Sequence, residues 1–477
     1  MAELTLAEQV AQFAWACAEQ GVPDAVQSSV NQRVLDVLGL CVAAYRVPTS
    51  DAVASLVDEQ GGRAQARAVG LDRRVPASQA ALLNGVLAHS LDYDDTHLPS
   101  VLHPSACVVP AALAAAELSN ASGAQLVSAV AAGLEVTVRL GMAGYDETLG
   151  NSVFFEHGQH ATSICGALGG AVAAAMLMGL GPEGVQNALG VAASMASGII
   201  EGNRSGGTVK RMHCGWAAHA AVVAAQLVER GVTGPPTVLE GRFGFFEAFL
   251  RGEVEEQQVT DALGERWSVP DIFFKPYPAN HFTHAAVDAG LALRARGLVL
   301  ADIERITLRV PTAVVRTIGE PLLIKQRPQT GYQAQFSGPY AVVAGLVGGS
   351  GLGVGLQDYR DELAQDPERR ALMARVDVVG DERCDAIFPH QLPAIVEVEA
   401  AGSTWVEEVL VNRGGPDRPL SSDELAAKFR DNVQGRLAGG DALRVQTSCS
   451  DLGALGTVRE LTEPLGRLSN IHSERPR

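Results

Sequence analysis

Through the first 270 residues, apolar side chains return every three or four positions, the spacing that lines one face of a helix. The pattern predicts helices over residues 6–19, 25–45, 78–91, 106–118, 124–140, 161–178, 182–196 and 217–229. Glycine and proline break the segments at Gly21 and Pro23, at Gly181 and Pro182, and at Gly234 and Pro236. The character changes near Val269 and Pro270. Beyond them, short partly alternating stretches rich in Val and Ile predict strands over 305–310, 374–379, 394–400 and 404–411. Helical spacing persists among the strands at 285–296 and 338–346. It takes over again from Ser421, where Ser421 or Ser422 stands ahead of Glu424 as an N-cap.

These patterns predict a mainly α protein. A large all-helical domain spans 1–270, a smaller α+β domain spans 271–416, and helices resume over 417–477. Packing of that tail back on the first domain would make the second an insertion, a point that periodicity leaves open. A length of 477 residues suits two domains.

Composition narrows the picture. Hydrophobic residues make up 47% and charged residues 19%, a globular balance. Aromatics are only 5%, while Ala and Gly abound, so helices can approach closely. Residues 165–181 carry no charge, but they are largely Ala and Gly, with Gly166 and Gly170 four apart. Close helix packing in a buried core explains them better than a membrane span. A net charge of −17 with no basic stripe excludes nucleic acid as a partner. The seven cysteines are widely spaced and odd in number, which predicts reduced thiols in a cytoplasmic protein. The N-terminal segment, with Glu3, Glu8 and Glu19, does not read as a signal peptide. The glycine-rich run at 348–355 lacks a phosphate-loop ending and reads as a plain loop.

Candidate chemistry gathers around histidine. Nine of the eleven fall in four groups: His89/His97/His103, His157/His160, His213/His219 and His281/His284. Imidazoles suit acid and base work near neutral pH. Lysine is scarce, with four (210, 275, 325 and 428) against 33 arginines. Lys210 and Lys275 each sit beside a histidine group, in VKRMHCG (209–215) and FFKPYPANHFTH (273–284). A compact ammonium suits a carboxylate ligand, although ordinary surface lysines are the plainer reading. The segment HSLDYDDTHLPSVLHPS (89–105) brings Asp92, Asp94, Asp95, Thr96, His97 and His103 into one loop between two helices. Loops on rigid scaffolds commonly present reactive groups. Helix capping by Asp94, Asp95 or Ser105 is the plainer reading there. Histidine and aspartate also bind metals. However, no H-E-x-x-H or paired E-x-x-H motif occurs, and the pairs His157/His160 and His281/His284 fit no standard ligand set. No metal and no cofactor is expected.

Six motifs in order, HSLDYDDTH…HPS, GQHATS (158–163), VKRMHCG, KPYPANHFTH (275–284), AQFSGPY (334–340) and ELAAKFRDN (424–432), make the chain resemble the MmgE/PrpD family over nearly its whole length. That family includes 2-methylcitrate dehydratase, cis-aconitate decarboxylase and iminodisuccinate epimerase activities. The resemblance implies a large helical domain with an α+β lid, C-terminal helices over 417–477 that return to the helical domain, a metal-free site between the domains, and a homodimer. Matched to the decarboxylase pattern, it implies functional roles for Asp92, Thr96, His103, His160, Lys210, Lys275 and Tyr340. Lys210 and Lys275 would hold carboxylates, and His103 would move the proton at carbon with Asp92 orienting it. Thr96 and His160 would bind substrate, and Tyr340 would donate a hydrogen bond from the lid. Three departures stand out. The loop from Asp92 to His103 is one residue longer than in the animal decarboxylase. Asn280 replaces a histidine of that enzyme. Asp92-Tyr93-Asp94-Asp95-Thr96 differs from the D-F-N-D-T of 2-methylcitrate dehydratases.

The expected function is a metal-independent dehydratase or decarboxylase acting on a small polycarboxylic acid. Either reaction needs a single well-placed acid/base group. Epimerisation of a dicarboxylate such as iminodisuccinate is the alternative, and a non-catalytic polycarboxylate-binding protein is a further one.

Overall fold

The computed structural model describes residues 4–202 and 207–469. The chain divides into two compact units, one made of Met1–Ile272 with Val433–Arg477 and the other of Phe273–Asn432.

Helices build the first unit. They are α1 (Leu6–Gln20), α2 (Asp24–Ala43), α3 (Pro48–Gln60), α4 (Ala77–His89), α5 (Ser105–Ser119), α6 (Gly123–Ala143), α7 (Ala161–Leu177), α8 (Gly181–Met195) and α9 (Lys210–Glu229). Starts are written locally. Thr5 accepts the Glu8 amide at 3.2 Å while Glu8 accepts the Thr5 amide at 2.8 Å, a reciprocal cap that Ser122 and Gln125 repeat for α6.

Every residue of α7 is buried, as its all-round Ala, Gly and Leu surface requires. It packs against α5, α6, α8 and α9. Glycine sets how close these helices come. A Cβ on Gly169 of α7 would fall 1.9 Å from Thr137 Oγ1 and 2.3 Å from the Gly133 carbonyl of α6. The same device joins α4 to α9, where a Cβ on Gly215 would lie 2.4 Å from the Leu82 carbonyl. Among the described residues, only α6 is long and apolar enough to cross a membrane, and 94% of its apolar window is buried inside the unit.

In the second unit a four-stranded sheet runs in the order β2-β1-β3-β4, with β1 Ile303–Val310, β2 Val376–Gly380, β3 Ala394–Ala400 and β4 Ser403–Val409. Strands β1 and β2 are parallel and the other pairs antiparallel. A register shift between Ile303 and Arg305 lets Ile303 and Ile306 share the buried face despite their odd spacing. Helices α10 (His284–Ala295) and α11 (Gly338–Val347) join its core.

Helix α12 (Ser422–Val433) follows, and up to Asn432 it counts with the second unit. Its Leu425 packs with Phe274, Leu420 and Leu352. The return to the first unit therefore comes at Val433, later than the expected boundary at 417. From there α13 (Gly439–Ser450) packs against α2, and the Leu455 carbonyl accepts the amide of Gly123. Residues 470–477 of the expected C-terminal segment lie outside the described residues.

The glycine-rich run at 348–355 wraps a carboxylate of its own chain. Asp358 Oδ2 accepts the amides of Ser350 at 2.9 Å and Gly355 at 2.8 Å. An internal acceptor fills the concavity that a phosphate would otherwise occupy.

Candidate active site

Helix α4 ends at His89, and the chain reaches α5 through the loop 90–104. Reciprocal backbone bonds between His97 and Leu102 clip this loop at 2.9 and 3.3 Å. Two of its non-glycine residues, Asp92 at φ 52° and Val101 at φ 54°, adopt the left-handed conformation. Such backbone costs about 1–3 kcal/mol per residue and concentrates at functional sites.

A buried ion pair anchors the loop. Arg33 of α2 donates to Asp95 Oδ2 at 2.8 Å and to the carbonyls of Val269 and Ile272 at 3.0 and 2.7 Å. Asp95 also accepts the Ser105 hydroxyl at 2.5 Å and the Ser105 amide at 3.2 Å, so it caps α5. Burial foremost raises the Asp95 carboxyl above its usual range, while Arg33 and Ser105 pull it back. The backbone carbonyl of Asp95 accepts His103 Nδ1–H at 2.7 Å, and Thr96 Oγ1 lies 3.3 Å from the same nitrogen. Those bonds fix the His103 tautomer and make Nε2 its basic nitrogen. The His103 amide donates to Thr162 Oγ1 at 3.1 Å, which ties the loop to the start of α7.

Three other helix ends converge on His103. His89, the last residue of α4, has its ring centroid 5.3 Å from that of His103 and 5.8 Å from that of His160. His160 stands at the N-cap of α7, and its Nδ1 lies 2.9 Å from Nδ1 of His213 in the first turns of α9. One of these two nitrogens donates and the other accepts, an arrangement that two neutral rings satisfy. Burial holds the His160 imidazole well below its ordinary range, and His89, Lys210, His213 and His103 reinforce the effect. Burial likewise brings His213 down to about 4, with His89 and Lys210 adding to it. Lys210 opens α9, and its Nζ lies 3.7 Å from Asp92 Oδ1. The Gly85–Gly215 crossing of α4 over α9 brings the Lys210 and His213 end of one helix to the His89 end of the other.

Five sequence-predicted residues, Asp92, Thr96, His103, His160 and Lys210, thus lie in the first unit around one imidazole cluster. Lys275 and Tyr340 belong to the second unit. Lys275 is 1% exposed. Lys428 is fully buried, and the Lys325 ammonium donates to two carbonyls at 2.6 and 2.9 Å. None of the four lysines is an ordinary surface group, which removes the plainer reading of that pattern. Tyr340 does not fit the donor role expected of it. Its hydroxyl proton goes to the Asp358 carbonyl, and Arg369 donates to its oxygen at 3.2 Å. Burial pushes the phenol up to about 12. The tyrosine therefore serves the core of its own unit.

Sequence reasoning passed over His89, Asp94 and His213 as site members. The signal for the two histidines was their grouping, and for Asp94 its place in the loop that follows His89. His89 Nδ1 lies 2.7 Å from Asp94 Oδ2, and both residues are buried. With Cys214 they form the one group among the described residues with metal-ligand chemistry, all three ligand atoms lying within 4.8 Å of one another. The spacing of 2.7 Å is that of a hydrogen bond. Two ligands on one tetrahedral zinc, each at about 2.0–2.2 Å from it, stand farther apart. The Cys214 thiol is buried and hydrogen-bonded with Cys107, which drives its pKa well up. The trio is a hydrogen-bonded dyad beside a neutral thiol.

Fold and site define a mainly helical protein with an imidazole cluster and a lysine at converging helix ends. Residues 8–258 match the MmgE/PrpD N-terminal domain and residues 277–452 the MmgE/PrpD C-terminal domain, so the chain belongs to the MmgE/PrpD family. It is 31% identical to mouse cis-aconitate decarboxylase over 76% of this chain and 73% of that one. A cis-aconitate decarboxylase-like protein of Aspergillus oryzae is 26% identical over 92% of this chain and 93% of its own. The 2-methylcitrate dehydratase of Salmonella typhimurium is 29% identical over 36% of this chain and 34% of its own.

Proposed function

We propose that this protein is a metal-independent lyase that acts on a small polycarboxylic acid by moving a proton at a carbon next to a carboxylate. The observation that carries this reading is the gathering of His103, His160, His213 and Lys210 at converging helix ends, with the His103 tautomer set by Asp95. Decarboxylation of a cis-aconitate-like acid comes first. The relatives matched along most of the chain are named for it, whereas the dehydratase matches only about a third.

In this mechanism the bond to the departing carboxylate breaks, and its electron pair spreads from carbon onto a remaining carboxylate. The Lys210 ammonium stabilises that charge as it grows. His103 delivers a proton to the carbon from Nε2 and is reprotonated from solvent, so carbon dioxide leaves and one proton is taken up. Asp92 holds the Lys210 ammonium in place, and Thr96 steadies the His103 ring. His160, kept neutral, donates a hydrogen bond to a substrate carboxylate. Lys275 is assigned a second carboxylate. A homodimer in the cytoplasm is part of the same proposal, and light scattering reads the oligomeric state.

The test is turnover of cis-aconitate, citrate, 2-methylcitrate and iminodisuccinate by purified protein with and without EDTA. Conversion that survives EDTA and is lost in Lys210→Ala supports the reading. Loss of activity in EDTA, or no conversion of any acid in the panel, overturns it.

A further inference from the structure

His160 and His213 meet through their Nδ1 atoms, 2.9 Å apart. One proton bridges two such nitrogens, so one ring holds it on Nδ1 and the other leaves Nδ1 bare. In a neutral imidazole that choice also fixes the far edge. A ring bare at Nδ1 carries N–H at Nε2, and a ring protonated at Nδ1 is bare at Nε2.

We propose that His213 is the donor in this bond and thereby makes His160 a fixed Nε2–H donor to an ionised carboxylate of the substrate. His213 is a positioning residue that acts through its neighbour. It makes this point of the site accept an anion and refuse a hydrogen-bond donor. The carboxylate comes from the lyase reading above, on which this role of His213 rests.

The surroundings set the direction of the bond. Lys210 and His213 stand three residues apart at the start of α9, on one face of the helix. An ammonium has protons to give and no lone pair, so it favours a bare nitrogen on the ring beside it. Nδ1 of His213 is committed to His160, which leaves Nε2 as the bare nitrogen and puts the proton on Nδ1. The helix ends agree. Helix α7 has 17 residues and α9 has 20, and both begin at this pair, so two positive N-termini face it. His160 is the N-cap of α7, and Nδ1 is its ring nitrogen nearer the backbone. An acceptor is favoured there, as at other N-caps, and an anion is favoured beyond it. Both rings are neutral near neutral pH, as a one-proton bond requires. Burial foremost, then His89 and Lys210, bring His213 down to about 4 and hold His160 well below its ordinary range. Backbone ties keep the rings in register. The Ser163 hydroxyl of α7 donates to the His213 carbonyl at 3.0 Å, and the His160 amide donates to the Gly198 carbonyl at 3.1 Å.

The direct test is nitrogen NMR of protein labelled in its histidines, near neutral pH, with propane-1,2,3-tricarboxylate bound. This saturated acid has no hydroxyl to lose and no double bond to take up charge, so it stays intact in the site. His160→Asn and His213→Asn assign the signals. The expected result is His160 protonated on Nε2 and His213 protonated on Nδ1. The reverse pattern overturns the proposal, and so does failure of the acid to bind. His213→Leu removes the donor. It should weaken binding of the acid by about ten- to a hundredfold, the worth of a hydrogen bond to a charged group. It should also raise KM more than it lowers kcat and leave His160 as a mixture of tautomers. His213→Asn places an amide donor at the same point and should restore most of the affinity. A role in packing alone would cost stability in His213→Leu with the His160 tautomer and the affinity unchanged. The wild-type spectrum decides the matter even if His213→Leu fails to fold. Reversed tautomers in a protein that converts an acid sink only the role given to His213. The expected tautomers in a protein that converts none sink only the lyase reading.

Discussion

Replacing Gly215 with alanine should disable the site without touching a reactive group. An ideal Cβ there lies 2.4 Å from the Leu82 carbonyl oxygen, 2.5 Å from Val86 Cγ2 and 2.9 Å from the Val86 amide. Ordinary contact begins near 3.4 Å, and two of the three obstacles are backbone of α4. Helix α9 must therefore back away by about 1 Å, carrying Lys210 and His213 with it. Overpacking of this kind costs about 1–3 kcal/mol of stability. Misplacement of reactive groups by about 1 Å costs on the order of a hundredfold in rate. Denaturant unfolding measures the first quantity, and kcat/KM on the acid that the wild type converts measures the second. The expected outcome is a folded protein with kcat/KM down by about two orders of magnitude. Gly440→Ala in α13, whose Cβ would meet nothing within 4 Å, is the control and should leave activity unchanged. A folded Gly215→Ala protein with wild-type kcat/KM would refute the claim that this crossing positions the site.

Further expectations follow from single groups. Tyr340→Phe should destabilise the second unit by about 1–3 kcal/mol, because it deprives the Asp358 carbonyl and Arg369 of a buried partner, yet spare kcat. Unfolding and steady-state kinetics read the two effects, and a large loss of kcat in stable protein would restore the tyrosine to the chemistry. Asp95→Ala should cost about 3–5 kcal/mol, since it leaves the Arg33 guanidinium buried without its carboxylate, and circular dichroism on heating checks it. His97 is held down to about 4 by burial first and Arg33 second. The unfolded chain takes up this proton near pH 6.5 and the folded chain does not, so stability falls as pH drops below about 6.5. The loss from this group should reach about 2 kcal/mol by pH 5, and His97→Asn should flatten the decline. An equally steep decline in His97→Asn would show that another group carries it.

Much of the fold was legible in the sequence because it depends on local spacing. The predicted helix at 161–178 and the α7 observed over Ala161–Leu177 agree within a residue, and β3 falls at its predicted position. Helix α3 went unseen because only Ser50, Val53 and Val57 are buried, too narrow a stripe to stand out. The first turns of α9 were missed for a different reason. Lys210, Arg211 and His213 are polar because they serve a site, and their pattern does not report the helix that carries them. The grouping of histidine, aspartate and lysine was legible by residue type. The pairings were not, because His89, His160 and His213 meet only through helix crossings. Tyr340 shows the converse limit, since a motif match does not reveal that Asp358 already takes its proton.

Proton transfer to carbon by this cluster is read most directly by proton NMR of turnover in D2O. Wild-type protein is expected to convert a polycarboxylic acid with EDTA present and to place one deuterium on the carbon next to a carboxylate. His103→Asn should remain folded and lose that incorporation. Product without deuterium at that carbon, or unchanged incorporation in His103→Asn, would contradict it.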